Sequence, residues 1–253
     1  MSAGVDAIDL FASLPRQGPG SPAATGEALV RLGPLPDAPR TVDLGCGSGA
    51  ATLVLAERLG SRIVAVDREP RLLRKLEAAA AALGLANLIE PLEQDFASLR
   101  LAPGSFDLLW SEGAIYTLGL EAGLGRWRVL LAPGGKAAVS DLAFLDDDPP
   151  PEVAAFWREA YPSVAGLEEN ARRIARAGFA VLDRFVLPEA AWWRDFYAPL
   201  LERCAALEAG AGPALLELIA SQRREIELFR RHHARYGYVF WLLQRGPGDD
   251  TTA

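Results

Sequence analysis

The sequence predicts an α/β protein: a seven-stranded, mostly parallel sheet with helices on both faces and a helical insertion before the last strand. Three observations carry this expectation. Between residues 41 and 145, short β-rich runs alternate with helical runs, the order that βαβ units produce. A glycine-dense turn, Leu44-Gly45-Cys46-Gly47-Ser48-Gly49, joins the first of these strands to the first of these helices. The strand segments are also apolar enough to be covered by helices on both faces.

In chain order, the strands are expected at residues 40–44, 62–66, 88–92, 106–110 and 136–140, with helices at 50–59, 69–83 and 121–131 between them. Gly60 and Gly84 stand where helix C-caps belong, and Pro103-Gly104 and Pro133-Gly134-Gly135 make turns before strands. Asp146-Asp147-Asp148-Pro149-Pro150-Pro151 interrupts the chain, because proline cannot continue a helix or a central strand. Helices at 152–161 and 167–177 and a strand at 180–186 follow; residues 200–235 are helical with a break at 210–213, and 238–243 form an aromatic-rich last strand. The organisation expected is an N-terminal helical lid segment (1–40), one main domain (41–245) with its helical insertion at about 187–235, and a flexible tail (246–253).

At 253 residues, half of them hydrophobic and 23% charged, the chain is long enough for one large core. Its formal charge of −7 and the lack of a basic run argue against a nucleic acid partner. Cys46 and Cys204 lie far apart without metal-ligand spacing, so no metal site is expected and a reducing cytoplasmic location fits. Residues 1–14 carry acids and no long apolar core, and no uncharged stretch approaches the ~18 residues that span a bilayer, so neither export nor a membrane is expected. A homodimer is left open.

The glycine loop ends a strand and opens a helix, where backbone N–H groups point outward and a ligand approaches closely, as in a Rossmann-like cofactor site. Gly45, Gly47 and Ala50 also fit the looser dinucleotide pattern G-x-G-x-x-[GA], and a plain strand-to-helix turn is the alternative. Asp67 follows the second strand about twenty residues on, where a carboxylate accepts hydrogen bonds from both hydroxyls of a ribose; otherwise it is a helix N-cap.

With Asp43 before the loop and Gly49 as its third glycine, the sequence resembles the class I S-adenosylmethionine-dependent methyltransferases over nearly its whole length. The resemblance implies that Gly45 and Gly47 lie against the methionine part of S-adenosylmethionine, that Asp67 holds the ribose, and that Asp43 and Cys46 are among the cofactor-binding residues. It puts Arg68 beside the adenine, Asp95 and Phe96 at the adenine amino group, and Ser111 and Glu112 near the methionine moiety. The segments Arg16-Gln17-Gly18-Pro19-Gly20-Ser21-Pro22, Ser111-Glu112-Gly113-Ala114-Ile115-Tyr116 and Tyr236-Gly237-Tyr238 are similar to those of a little-characterised bacterial subfamily acting on small molecules. Asp141 stands where that pattern has a glutamate, which leaves an acid/base role there open.

Ligands of open α/β sheets bind beyond the carboxyl ends of the strands, so Glu112, Tyr116 and Asp141 are the candidate catalytic group, with the N-terminal segment as lid. Glu112 is the first candidate for a base or an acceptor-orienting group, Asp141 the second. Arg16 is the candidate partner for the cofactor carboxylate, or else a solvated loop residue. The aromatics Trp157, Tyr161, Trp192, Trp193, Phe196, Tyr197, Tyr236 and Tyr238 either wall an acceptor pocket or fill the core of the insertion; His232 and His233 are expected at the surface. The function expected is methyl transfer to a small-molecule acceptor. The rivals are a nicotinamide-dependent oxidoreductase and a non-catalytic cofactor-binding regulator.

Overall fold

A computed structural model describes residues 7–247; residues 1–6 of the expected lid segment and 248–253 of the expected tail lie outside the described residues. From the amino end, α1 (Ala7–Ala12) and α2 (Pro22–Arg31) precede β1 (Thr41–Leu44). Then come α3 (Ala50–Leu59), β2 (Ile63–Asp67), α4 (Pro70–Ala82), β3 (Ile89–Glu93) and β4 (Phe106–Glu112). α5 (Leu120–Trp127) leads through a 3-10 turn into β5 (Leu131–Phe144), followed by α6 (Pro151–Ala160), the two-residue β6 (Ala165–Gly166), α7 (Leu167–Arg176) and β7 (Phe179–Val186). α8 (Glu189–Trp192) passes through a π-helical turn at Trp193–Tyr197 into α9 (Ala198–Glu208), and α10 (Pro213–His232) and β8 (Tyr236–Arg245) close the described chain.

The sheet runs β3-β2-β1-β4-β5-β8-β7, with β6 added beside the end of β5. β1 to β5 are parallel to one another, whereas β8 is antiparallel to both β5 and β7. The order of winding reverses between β1 and β4, and a crevice opens beyond the carboxyl ends of those two strands. Two apolar clusters sandwich the sheet. One joins α1 to α4 and the insertion, through residues such as Leu10, Ala28, Leu55, Leu76 and Trp192. The other packs Trp127 and Ile174, from α5 and α7, against the opposite face.

β5 is much longer than the sequence pattern suggests. The Pro133-Gly134-Gly135 turn is an excursion inside it, between the pairings Phe106 with Leu131 and Leu108 with Lys136. At its far end β5 continues to Phe144 because β8 keeps pairing with it, Asp141 opposite Val239 and Phe144 opposite Tyr236. Asp141 therefore lies within the strand and not at its end, a correction to the sequence expectation. The insertion contributes four helical pieces where hydrophobic periodicity indicated two; the density of aromatics from Trp192 to Tyr197 hides the helical repeat there. Local chemistry starts α2: Ser21 caps it by accepting from the Ala24 N–H at 3.1 Å, and Pro22 fits the first turn.

Candidate active site

The loop after β1 turns sharply because the Gly45 and Cys46 N–H groups both donate to the Val66 carbonyl, at 2.9 and 3.0 Å. Gly45 has φ +74°, and a β-carbon there would meet the Ala114 methyl at 2.5 Å. Gly47 has φ +55°, and its β-carbon would meet Gln17 Oε1 at 2.5 Å. Both positions combine a left-handed backbone with close approach, so only glycine fits without strain. The Asp67 carboxylate accepts from Gly47 N–H at 2.8 Å and Glu69 N–H at 2.9 Å, tying the end of β2 to the loop. The N-cap of α4 is Glu69, so Asp67 is not the helix cap. Asp43, at the end of β1, is buried and accepts from the Thr52 hydroxyl at 2.6 Å; burial, only partly offset by that bond, pushes its carboxyl up to about 7.

The segment between α1 and α2 closes over this loop. Arg16 is 7% exposed, and its Nη2 donates to Glu112 Oε2 at 2.5 Å. Its guanidinium lies where a β-carbon on Gly20 would stand, which explains the glycine in that turn. Gln17 Oε1 accepts from both the Ser48 N–H (2.9 Å) and its hydroxyl (3.1 Å), pinning the segment to the start of α3. Thr25 and Trp110 donate to Glu112 Oε1 at 2.6 and 2.9 Å.

Three concavities meet here. A groove of about 90 Å³ runs between Arg16–Pro19, Asp43, the glycine loop and Glu112–Ala114. A second, of about 390 Å³, is lined by Gly45, Asp67, Arg68, Asp95, Phe96 and Tyr116 among others. The third, of about 230 Å³, lies under the insertion and is walled by Tyr116, Trp157, Tyr161, Trp192, Phe196 and Tyr238. Gly113 lines all three. At φ +61° it carries no side chain, and a β-carbon would strike the Tyr238 ring at 2.9 Å.

The structure therefore gathers Arg16, Asp43, Gly45, Cys46, Gly47 and Glu112 on one groove and Asp67, Arg68, Asp95 and Phe96 on its neighbour. Ser111 is a correction. Its side chain is fully buried and donates to the Leu44 carbonyl at 2.8 Å, stapling β4 to β1 instead of facing the groove. Glu112 is turned inward onto three donors, an arrangement that suits anchoring the lid and β4 better than accepting a proton. Asp141, 2% exposed, sits behind Tyr161, whose hydroxyl donates to Oδ2 at 2.8 Å; burial pushes this carboxyl up to about 7. Tyr116 stands at the mouth between two of the cavities, 42% exposed, its ring 5.9 Å from that of Tyr161.

The C-terminal aromatics divide between the two roles anticipated. Trp157, Tyr161, Trp192, Phe196 and Tyr238 line the third cavity, whereas Tyr197 and Tyr236 are packed edge-on into the core around Phe229. Trp193 packs half-buried at the edge of that core, with Arg230 over its ring at 4.8 Å. His232 bonds Glu152 at 2.6 Å on the surface. Sequence reasoning missed Gln17, Ser48 and Glu225. The first two were signalled only by lying inside the Arg16 and glycine segments; Glu225 is one of several acids on a charged helix and had no signal of its own.

Comparison with known proteins places this geometry. The family model described as a methyltransferase domain matches residues 41–135. A trans-aconitate 2-methyltransferase of Paracidovorax citrulli (strain AAC00-1) is 30% identical over 200 residues, 75% of this chain and 73% of that protein. An O-methyltransferase of Pyrenophora dematioidea is 27% identical over 165 residues, 63% of this chain and 60% of its own length. The matched region spans less than a third of some other curated relatives. Among solved structures, an S-adenosylmethionine-dependent methyltransferase from Geobacter sulfurreducens, in complex with S-adenosylhomocysteine, superposes with a TM-score of 0.79 at 19% identity, covering 95% of this chain and 98% of that one.

Proposed function

Since the chain belongs to the class I S-adenosylmethionine-dependent methyltransferases, we propose that it transfers a methyl group from S-adenosylmethionine to a small-molecule acceptor held in the aromatic cavity. The observation that carries this reading is the convergence of three concavities at Gly113, which puts the groove of the glycine loop beside a separate, more apolar pocket. The residues fit the cofactor. Arg16 Nε and Nη1 are buried at the groove without partners among the described residues, two charged donors suited to a carboxylate. The glycine loop leaves room for a ligand against the backbone, and Asp67 stands at the end of β2 to take ribose hydroxyls. Arg68, Asp95 and Phe96 make the adenine side.

When bound, S-adenosylmethionine supplies an electrophilic methyl on a sulfonium whose leaving group is a neutral thioether. The protein's own part is alignment and exclusion of water. The 16–19 segment roofs both the groove and the aromatic pocket, which is the role proposed for the N-terminal lid. Asp43 and Cys46 floor the groove, and Tyr116 and Asp141 flank the acceptor side, Asp141 through Tyr161. Among the described residues no helix is long and apolar enough to cross a membrane, and the two buried free cysteines support a cytoplasmic setting. A nicotinamide enzyme is not favoured by the family match.

Calorimetric titration with S-adenosylmethionine, S-adenosylhomocysteine and NADH tests this. Micromolar binding of the first two alone is expected. Binding of NADH alone overturns the methyltransferase reading.

A further inference from the structure

The aromatic cavity has an electrostatic character that narrows its occupant. Six aromatic side chains, those of Phe11, Trp157, Tyr161, Trp192, Phe196 and Tyr238, contribute to its lining together with Tyr116 at the mouth. Among the described lining residues there is one carboxylate, Glu225, and no Lys, Arg or His. Glu225 comes from α10 and has one hydrogen-bond partner among the described residues, the Tyr197 hydroxyl, which donates to Oε1 at 2.8 Å. No arginine or lysine forms an ion pair with it among the described residues, although α10 carries four arginines, three of which pair elsewhere: Arg223 with Glu208, Arg230 and Arg231 with Glu227, and Arg231 also with Glu152.

Aromatic rings present negative faces to what they enclose, and a partly desolvated carboxylate without a counter-charge attracts a cation strongly. An anionic acceptor entering the same space would lose its hydration and gain no positive partner. A neutral alcohol or phenol would leave Glu225 without a charge partner.

We propose that the acceptor of this site is a small amine, recognised as its ammonium form between the aromatic walls with Glu225 as the group that selects for positive charge; its nitrogen gives up one proton to water at the open mouth beside Tyr116, and the freed lone pair then forms the N–C bond as the C–S bond of the sulfonium breaks. The inference rests on the methyltransferase reading and deepens it by naming the chemical class of the acceptor. Glu225 is a specificity-determining residue in this account. Burial pushes its carboxyl up to about 7, so an arriving cation is what fixes it in the charged form.

The test uses the whole chain, saturated with S-adenosylhomocysteine, and follows the change in tryptophan fluorescence, to which Trp157 and Trp192 of the cavity wall contribute, on titration at pH 7.5 with three probes of one shape: phenethylamine, 2-phenylethanol and phenylacetate. Phenethylamine is expected to bind at least about tenfold more tightly than either of the others, the scale of one hydrogen bond to a charged group. Glu225→Gln removes that preference while leaving 2-phenylethanol binding unchanged, and Glu225→Asp restores part of it. The comparison of probes on the unsubstituted chain stands even if a variant fails to fold. An amine that binds no better than the alcohol, or does not bind at all, overturns the inference. A protein that takes up S-adenosylhomocysteine but not the amine fails only this inference, whereas one that takes up neither cofactor form fails the reading beneath it.

Discussion

Arg16 and Glu112, 96 positions apart in sequence, meet as a buried ion pair with Nη2 2.5 Å from Oε2. One end of the pair belongs to the segment that roofs the groove, the other to the carboxyl end of β4, so the contact holds the roof on the sheet. The three segments that the sequence singled out converge on it: Gln17 grips Ser48, and Tyr238 packs over Gly113.

Removing Arg16 strands the Glu112 carboxylate in the interior. Arg16→Ala is expected to lower stability by about 3–5 kcal/mol, the cost of breaking a buried pair, and to weaken S-adenosylmethionine binding at least ~tenfold through loss of the two unpartnered donors. Denaturant unfolding and calorimetry read the two effects separately. Unchanged cofactor affinity in a folded variant removes Arg16 from the site.

Asp67 has a structural and a proposed ligand-binding duty. Asp67→Asn keeps an acceptor for one of the Gly47 and Glu69 N–H groups, whereas Asp67→Ala leaves both without one. The alanine variant is expected to bind S-adenosylhomocysteine at least ~tenfold more weakly, with asparagine between it and the unsubstituted chain. Equal affinities in all three proteins would show that Asp67 serves the loop alone.

Gly45→Ala and Gly60→Ala separate crowding from backbone strain. Both glycines have positive φ, but a β-carbon meets nothing within 4 Å at Gly60 and meets Ala114 and Phe96 at Gly45. Gly60→Ala should cost roughly 1 kcal/mol. Gly45→Ala should cost more and abolish measurable cofactor binding, since its neighbours line the groove. Similar losses in the two variants would contradict the packing role assigned to Gly45.

The pH dependence of stability has a defined sign. Burial raises Asp43, Asp141 and Glu225 to about 7, with hydrogen bonds from Thr52, Tyr161 and Tyr197 opposing the rise. Unfolded carboxyls titrate near pH ~4, so between about 4 and 7 the folded chain holds protons that the unfolded chain has released. Stability therefore falls as pH rises through that window and levels off above it. Surface acids held low by arginines, such as Glu121 and Glu169, act oppositely, but only as pH drops below the ordinary carboxylate range. Thermal midpoints are expected to decline from pH 5 to pH 8, less steeply in Glu225→Gln; a rise across that range would contradict the burial assigned to these three acids.

The glycine loop, the acid after β2 and the alternation of strand and helix were legible in the sequence because each rests on local chemistry: turn geometry, caps, and a period set by a single element. Ser111 was misread for a related reason. Its position at the end of β4 was visible, but in a strand the choice between groove and neighbouring backbone depends on the adjacent strand, and Ser111 bonds Leu44. Asp141 lies mid-strand because β8 extends β5 from a hundred residues away.

By itself the sequence determined the α/β class, the ordering of its elements and the place where a cofactor loop would form. The tertiary structure alone decided which acid faces a cavity and which faces a partner. Glu112 is consumed by Arg16, Thr25 and Trp110, and Asp141 is shielded by Tyr161, while Glu225, unremarkable on its helix, lines the aromatic pocket. The reason is physical: burial and charge pairing are properties of the surroundings a fold assembles from distant segments, and no local pattern encodes them.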